Sequence, residues 1–201
     1  MELFGRALKA EDLVQYDGTA IYYGPIFNAV ATARLFAGLN SDVSWQRDVV
    51  MMYGKRIETR RRTAWYGDMP YIYRYSGVAR QALPWLSILL DIKKCVEDVS
   101  GETFNSCLLN LYANGEESMS WHSDNEADLL KEGAIASVSL GAERRFAFKH
   151  RRTKETVRVL LENGSLLVMK GSIQRHWVHA LPPMKGISEP RINLTFRTII
   201  G

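Results

Sequence analysis

Cysteine is scarce in this chain. Cys95 and Cys107 are the only two thiols in 201 residues, so no disulfide framework can staple the fold. Both read as buried, reduced thiols, one in a helix-like stretch and one just before a strand, and the protein is expected to be intracellular. No run of about 18 apolar residues occurs, and the N-terminus lacks the pattern of an export signal. Neither export nor membrane insertion is expected. Internal repeats and low-complexity linkers are missing too, which leaves one globular domain over residues 1–201. A hydrophobic content of 46% with 24% charge is enough to bury a full core. Charge of one sign is also in short supply: 26 basic residues against 22 acidic ones give a net +4. That excess permits a polyanionic partner without requiring one.

Histidine is scarce as well, with four in the chain: His122, His150, His176 and His179. One of them sits in Trp121-His122-Ser123-Asp124, where a single residue separates an imidazole from a carboxylate. On an extended strand, positions i and i+2 point to one face, so His122 and Asp124 can reach the same ion. A third ligand must come from another histidine. Two histidines and a carboxylate with open positions form the facial triad suited to non-haem Fe(II). Taken alone, an H-x-D pair also fits a plain surface strand.

Along the chain, Thr19 to Tyr23 reads as a strand. Residues 26–40 have helical spacing, with Ile26, Val30, Ala33, Leu35 and Phe36 toward a core and Gly38-Leu39-Asn40 as the stop. Residues 45–52 read as a strand that turns at Tyr53-Gly54-Lys55. Next comes the basic run Arg60-Arg61-Arg62, followed by Trp65, Tyr66, Tyr71, Tyr73 and Tyr75, with Arg74 between the last two. Guanidiniums can neutralise phosphates and aromatic faces can stack on unpaired bases. A solvated loop ahead of a packed tyrosine strand explains the same residues. Residues 83–99 form an amphipathic helix, with Trp85, Ile88, Leu89, Ile92 and Val96 as its apolar stripe.

From residue 104 the pattern is β. Short strands recur at 107–112, 134–140, 145–149, 156–160, 166–169, 175–179 and 191–197, with Asn114-Gly115 a clear turn. This succession points to a sandwich or jelly roll. In the last strand Arg191, Asn193, Thr195 and Arg197 share one face and Ile192, Leu194 and Phe196 the other. Two guanidiniums on one face are costly to bury without anions, and a dicarboxylate would supply them. An exposed polar edge strand is the other reading.

Together, His122-x-Asp124, the later His179 and Arg191-Ile192-Asn193-Leu194-Thr195-Phe196-Arg197 resemble the AlkB family of Fe(II)/2-oxoglutarate dioxygenases. Asn110-Leu111-Tyr112 matches that family's cosubstrate strand, and Tyr53-Gly54-Lys55, Tyr66-Gly67-Asp68 and Tyr73-Arg74-Tyr75-Ser76-Gly77 look closest to its duplex-repair branch. The resemblance implies a mainly β fold with flanking helices: a double-stranded β-helix (jelly-roll, cupin-like) core over 101–201, with helices and a nucleotide-recognition lid over 1–100. It implies Fe(II) held by His122, Asp124 and His179, with O2 and 2-oxoglutarate as cosubstrates. Asn110, Tyr112, Arg191, Asn193, Thr195 and Arg197 would bind 2-oxoglutarate, with Arg197 on the distal carboxylate and Arg191 near the metal-bound end. Tyr53, Gly54, Lys55, Trp65, Tyr73, Arg74, Tyr75, Asn125 and Glu126 would contact the substrate base, Tyr53 as the wedge. Arg60, Arg61, Arg62, Lys149, Arg151 and Arg152 would contact phosphates. His176 is left as a structural or outer-face residue and His150 as a loop histidine near phosphate or solvent. The implied reaction is oxidative demethylation of N-alkylated DNA bases, releasing formaldehyde, succinate and CO2. An RNA or nucleotide demethylase, or a silent nucleic-acid-binding module, are the alternatives. The expected partner is alkylated DNA, single- or double-stranded, with no membrane and with the chain acting as a monomer. Its place is cytoplasmic in a bacterium or nuclear in a eukaryote. Two departures stand out: the duplex branch usually has Phe where Tyr53 stands, and an acidic pair where this chain has Asn125-Glu126.

Overall fold

The computed structural model describes residues 10–52, 55–75 and 78–200; for 48–52, 55–59, 73–75 and 78–80 it describes the backbone alone. Tyr53 and Gly54, and Ser76 and Gly77, therefore lie outside the described residues, as do the side chains of Lys55, Tyr73, Arg74 and Tyr75. The first half runs β1 (Glu11–Asp12), β2 (Thr19–Pro25), α1 (Ala29–Asp42), β3 (Gln46–Met52), β4 (Lys55–Gly67), β5 (Ile72–Tyr75), β6 (Val78–Gln81), β7 (Leu83–Pro84) and α2 (Ser87–Ser100). The second half runs β8 (Ser106–Tyr112), β9 (Met119–His122), β10 (Ile135–Gly141), β11 (Arg144–His150), β12 (Thr156–Leu161), β13 (Ser165–Lys170), α3 (Ile173–His176), β14 (Trp177–Leu181) and β15 (Arg191–Arg197).

These strands form two main sheets. The larger has the order β1-β2-β13-β10-β15-β8-β4-β3, and the smaller β12-β11-β14-β9. The eight strands β8 to β15 divide between them as in a jelly roll, four to each sheet, with only β11 and β12 consecutive in the same one. Residues on both sides of position 100 share the larger sheet, since β2 pairs with β13 and β4 with β8. Among the described residues β5 and β6 make a separate two-stranded hairpin.

Alternation explains how the larger sheet serves two layers. On β15, Ile192, Leu194 and Phe196 are fully buried against the helices, within a cluster that includes Leu35, Leu39, Leu89, Ile92 and Val96. Burying side chains of this size stabilises by about 1.5–3 kcal/mol each. The opposite face of β15 looks into the space between the sheets. There a second cluster, including Phe148, Leu167, Met169, Ile173 and Trp177, closes one end. β15 lies between β10 and β8, so it is not an edge strand.

Several local expectations need correction. Helix α1 starts later, because Asn28 caps it by accepting from the Ala31 N–H at 2.9 Å. Ala31, Thr32, Leu35 and Leu39 are its buried residues, while Val30 and Ala33 are exposed. Gly38 does not stop the helix. A Cβ there would meet Ile88 Cδ1 at 2.7 Å, so this glycine lets α2 approach. Arg60-Arg61-Arg62 is part of β4 rather than a loop, and His176 ends the single turn α3 rather than lying on a strand. Both cysteines are free and buried as expected, although Cys107 lies within β8.

Candidate active site

The register of β9 against β14 sets His179 directly opposite His122. Their rings lie 4.3 Å apart, edge to face, and Asp124 follows just past the end of β9. The ligand atoms of His122, Asp124 and His179 all lie within 4.8 Å of one another, close enough to hold one metal ion. Each is oriented by a neighbour. The Nδ1 of His122 is 2.7 Å from the Ser120 carbonyl, so it carries the proton and leaves Nε2 as the donor atom. The Asp124 backbone N–H donates to Gln174 Oε1 at 3.0 Å. The His179 ring stacks on Phe146 at 5.4 Å.

Burial alone would raise the Asp124 carboxyl, but Arg197, His179 and His122 outweigh it and hold the carboxyl below its usual range. Burial pushes His179 down to about 4, only partly opposed by Asp124. A neutral imidazole beside an ionised carboxylate is the form a divalent cation takes. The low value also has a consequence for the metal-free protein. Unfolded, this histidine would titrate near 6.5; folded, it stays neutral to about 4. The folded state binds fewer protons in that window, so stability is full above about pH 6.5 and falls as pH drops towards 4. Urea unfolding at pH 7 and pH 4.5 should show a loss of roughly 2–3 kcal/mol from this residue. His179→Asn should lose correspondingly less; an equal loss in both proteins would remove the effect.

The triad opens into a cavity of about 200 Å³ between the sheets. Asn110 and Tyr112 on β8 and Arg191, Asn193, Thr195 and Arg197 on β15 all line it. So do Trp65 and Glu126. Arg191 is the least ordinary of these. It is 2% exposed, donates to Ser139 Oγ at 2.8 Å and Asn193 Oδ1 at 2.7 Å, and lies over the Tyr112 ring at 5.6 Å. Its Nε is buried with no hydrogen-bond partner, and burial drives its guanidinium down to about 10. No carboxylate neutralises it among its described contacts. Arg197 does have them: 2.7 Å to Asp124 and 3.5 Å to Glu126. The family resemblance implied Arg191 at the metal end and Arg197 at the far one. The geometry is the reverse, with Arg197 against the triad and Arg191 six residues back along β15, bonded to Ser139 and Asn193.

Other expectations sort by strand face. On β4, Arg61, Thr63 and Trp65 face the cavity, and Arg61 reaches Met119 Sδ at 2.8 Å. Arg61 is thus not a phosphate contact on the outer surface, whereas its neighbours Arg60 and Arg62 are exposed. Arg151 and Arg152 are exposed as expected. Asn125 lies outside the main cavity, beside a smaller one. His150 is neither loop-borne nor solvated. It is 1% exposed, its Nδ1 accepts from the Thr153 N–H at 3.0 Å, and its Nε2 lies 3.0 Å from Asp17 Oδ2. With His176 these residues make a second group of metal-type side chains. The accepted N–H at Nδ1 leaves a proton on Nε2, so His150 clasps Asp17 as a donor and has no lone pair there for an ion.

Sequence reasoning missed Ser139, Gln174 and Arg144. The Ala136-Ser137-Val138-Ser139 alternation on β10 carried a signal, since Ser137 and Ser139 face Thr195 and Asn193. Arg144 is fully buried and donates to the carbonyls of Asn114, Gly115, Glu117 and Pro182 at 2.8–3.1 Å, pinning the turn that leads into β9.

Residues 19–197 match the model of the 2OG-Fe(II) oxygenase superfamily. The chain is 36% identical over 195 residues to mouse DNA oxidative demethylase ALKBH2, covering 92% of this chain and 82% of the relative. It is 38% identical over 171 residues to human alpha-ketoglutarate-dependent dioxygenase alkB homolog 3, covering 80% of this chain and 59% of the relative. The solved structure of OsALKBH1 superposes with a TM-score of 0.62 at 14% identity, over 94% of this chain and 100% of that one, a likeness of fold.

Proposed function

Because the chain belongs to the 2OG-Fe(II) oxygenase superfamily and, within it, to the AlkB family, we propose that it oxidatively demethylates N-alkylated bases in DNA. One observation carries the reading: a buried guanidinium with no carboxylate among its described contacts, Arg191, shares a cavity with a His-Asp-His triad.

The donor set fits Fe(II): two imidazoles and one ionised carboxylate, each oriented by a second group. His122, Asp124 and His179 would hold the iron, which supplies, with 2-oxoglutarate and O2, the oxidation of a methyl C–H bond. Arg191 binds the distal carboxylate of 2-oxoglutarate, and Ser139 and Asn193 fix its guanidinium for a two-pronged contact. Arg197 neutralises charge at the metal end while steadying Asp124. Asn110 and Tyr112 hold the cosubstrate between the two arginines. Trp65 offers an aromatic wall to the flipped base, and Glu126 an acceptor for its exocyclic amine. A methyl group on the Watson–Crick edge is out of reach inside a duplex, so the base must leave the stack, and the lesion lowers that cost by blocking pairing. Phe146, Leu181 and Met169 keep that part of the cavity apolar and restrict water. The working unit in this reading is a monomer acting inside the cell where its DNA lies.

The test compares formaldehyde release from 1-methyladenine in single-stranded DNA, duplex DNA and RNA at matched salt. DNA should give the larger kcat/KM by about tenfold. A preference for RNA would move the enzyme to that substrate, and no release from any of them would leave a silent binding module.

A further inference from the structure

The smaller sheet has an outer face on which the family resemblance placed phosphate contacts at Lys149, Arg151 and Arg152, with no role for its other residues. Alternation turns Phe146, Phe148, Val157, Val159, Trp177 and His179 inward. It turns Arg145 and Lys149 of β11, Arg158 of β12 and Val178 of β14 outward. The sequences of the four strands, MSWH, RRFAFKH, TVRVLL and WVHAL, contain no aspartate or glutamate. The outward cations therefore have no carboxylate on their own sheet. At the edge strand β9, Trp121 is 47% exposed, with Lys149 Nζ 5.9 Å from its ring centroid. Trp121 adjoins His122 in sequence, and Arg151 from the β11–β12 turn donates to Ser123 Oγ at 2.9 Å. An exposed indole, a row of cations and the rim of the triad thus form one continuous surface.

We propose that this face is the track for the single-stranded DNA on one side of the lesion. Trp121 stacks on the base next to the flipped one, and Lys149, Arg151, Arg145 and Arg158 follow the phosphates away from the cavity. The proposal deepens the demethylase reading and rests on it for the flipped base. Its chemistry is that of single-strand binders, in which an aromatic face meets a base and a basic groove meets the backbone. A tryptophan serves any neighbouring base, because every base has a π-face. The cation over the indole also sits where the adjoining phosphate would pass.

The experiment measures binding of fluorescently labelled single-stranded oligonucleotides carrying 1-methyladenine, by anisotropy. The nucleotide 5′ or 3′ to the lesion is in turn replaced by an abasic residue. For the wild type, the abasic change on one side should cost about tenfold in affinity. Trp121→Ala should weaken the intact oligonucleotide by a similar factor and be indifferent to the abasic change, while Trp121→Phe should stay within about threefold of wild type. If the abasic change costs Trp121→Ala as much as it costs the wild type, the stacking role is overturned. The pair Arg145→Gln and Arg158→Gln should lower the slope of log affinity against log salt by about 1.4. An unchanged slope, or a reduction seen with RNA but not with DNA, would overturn the track. A wild type that binds through this face but releases no formaldehyde would uphold the track and remove the demethylase reading alone.

Discussion

Replacing His179 with alanine should abolish succinate formation from 2-oxoglutarate, a loss of at least about a thousandfold. The triad draws on two strands of the smaller sheet: His122 and Asp124 come from the edge strand β9 and the turn after it, and His179 from β14 beside it. Without His179 the remaining imidazole and carboxylate belong to one end of one strand. Loss of an outer hydrogen-bond partner already costs about 10- to 100-fold in metal affinity, so loss of a direct ligand should cost more. Titration with Fe(II) or Co(II), followed by calorimetry, reads this without any turnover. The control is His176→Ala. His176 lies only three residues earlier but ends α3 and faces Asp17, at 4.0 Å. It should keep turnover within about threefold. Full turnover in His179→Ala, or a matching loss in His176→Ala, would dissolve the assigned metal shell.

That contrast also marks what could be read from the residues alone. The spacing within β15 correctly separated Arg191, Asn193, Thr195 and Arg197 from Ile192, Leu194 and Phe196, because strand period is a local property. The pairing of His179 with His122 is not local; it needs β14 to lie on β9 between residues 57 positions apart, and only the family pattern suggested it. Where sequence reasoning failed, a long-range partner decided the outcome. Gly38 looked like a helix stop until Ile88 of α2 came to rest on it. His150 looked like a loop residue because its Asp17 partner is 133 positions away. Arg61 resembled its two basic neighbours, yet strand alternation turns it inward to Met119. The order of the two arginines along the cavity depended on where Asp124 would sit, a question of tertiary register that β15 itself cannot answer.

The sharpest test of the cosubstrate site sets stability against function at Arg191. Its guanidinium is buried, its Nε is without a partner, and no carboxylate lies among its described contacts. In the ligand-free protein that arrangement is unfavourable, because a buried charge needs a counter-charge to offset its lost hydration. Arg191→Met, which fills similar space without charge, should leave the ligand-free protein as stable as wild type or more stable, by up to about 2 kcal/mol. The same change should raise the KM for 2-oxoglutarate by about 100-fold or more, since a two-pronged charged contact to the distal carboxylate is lost. Saturating 2-oxoglutarate with a non-oxidisable metal should raise the melting temperature of the wild type, by an amount that grows with the logarithm of ligand over Kd, and barely shift Arg191→Met. Opposite signs for stability and cosubstrate affinity are what a charge kept for an absent dicarboxylate would produce. A variant that loses stability and affinity together would mean that Arg191 braces β8, β10 and β15 and takes no part in binding.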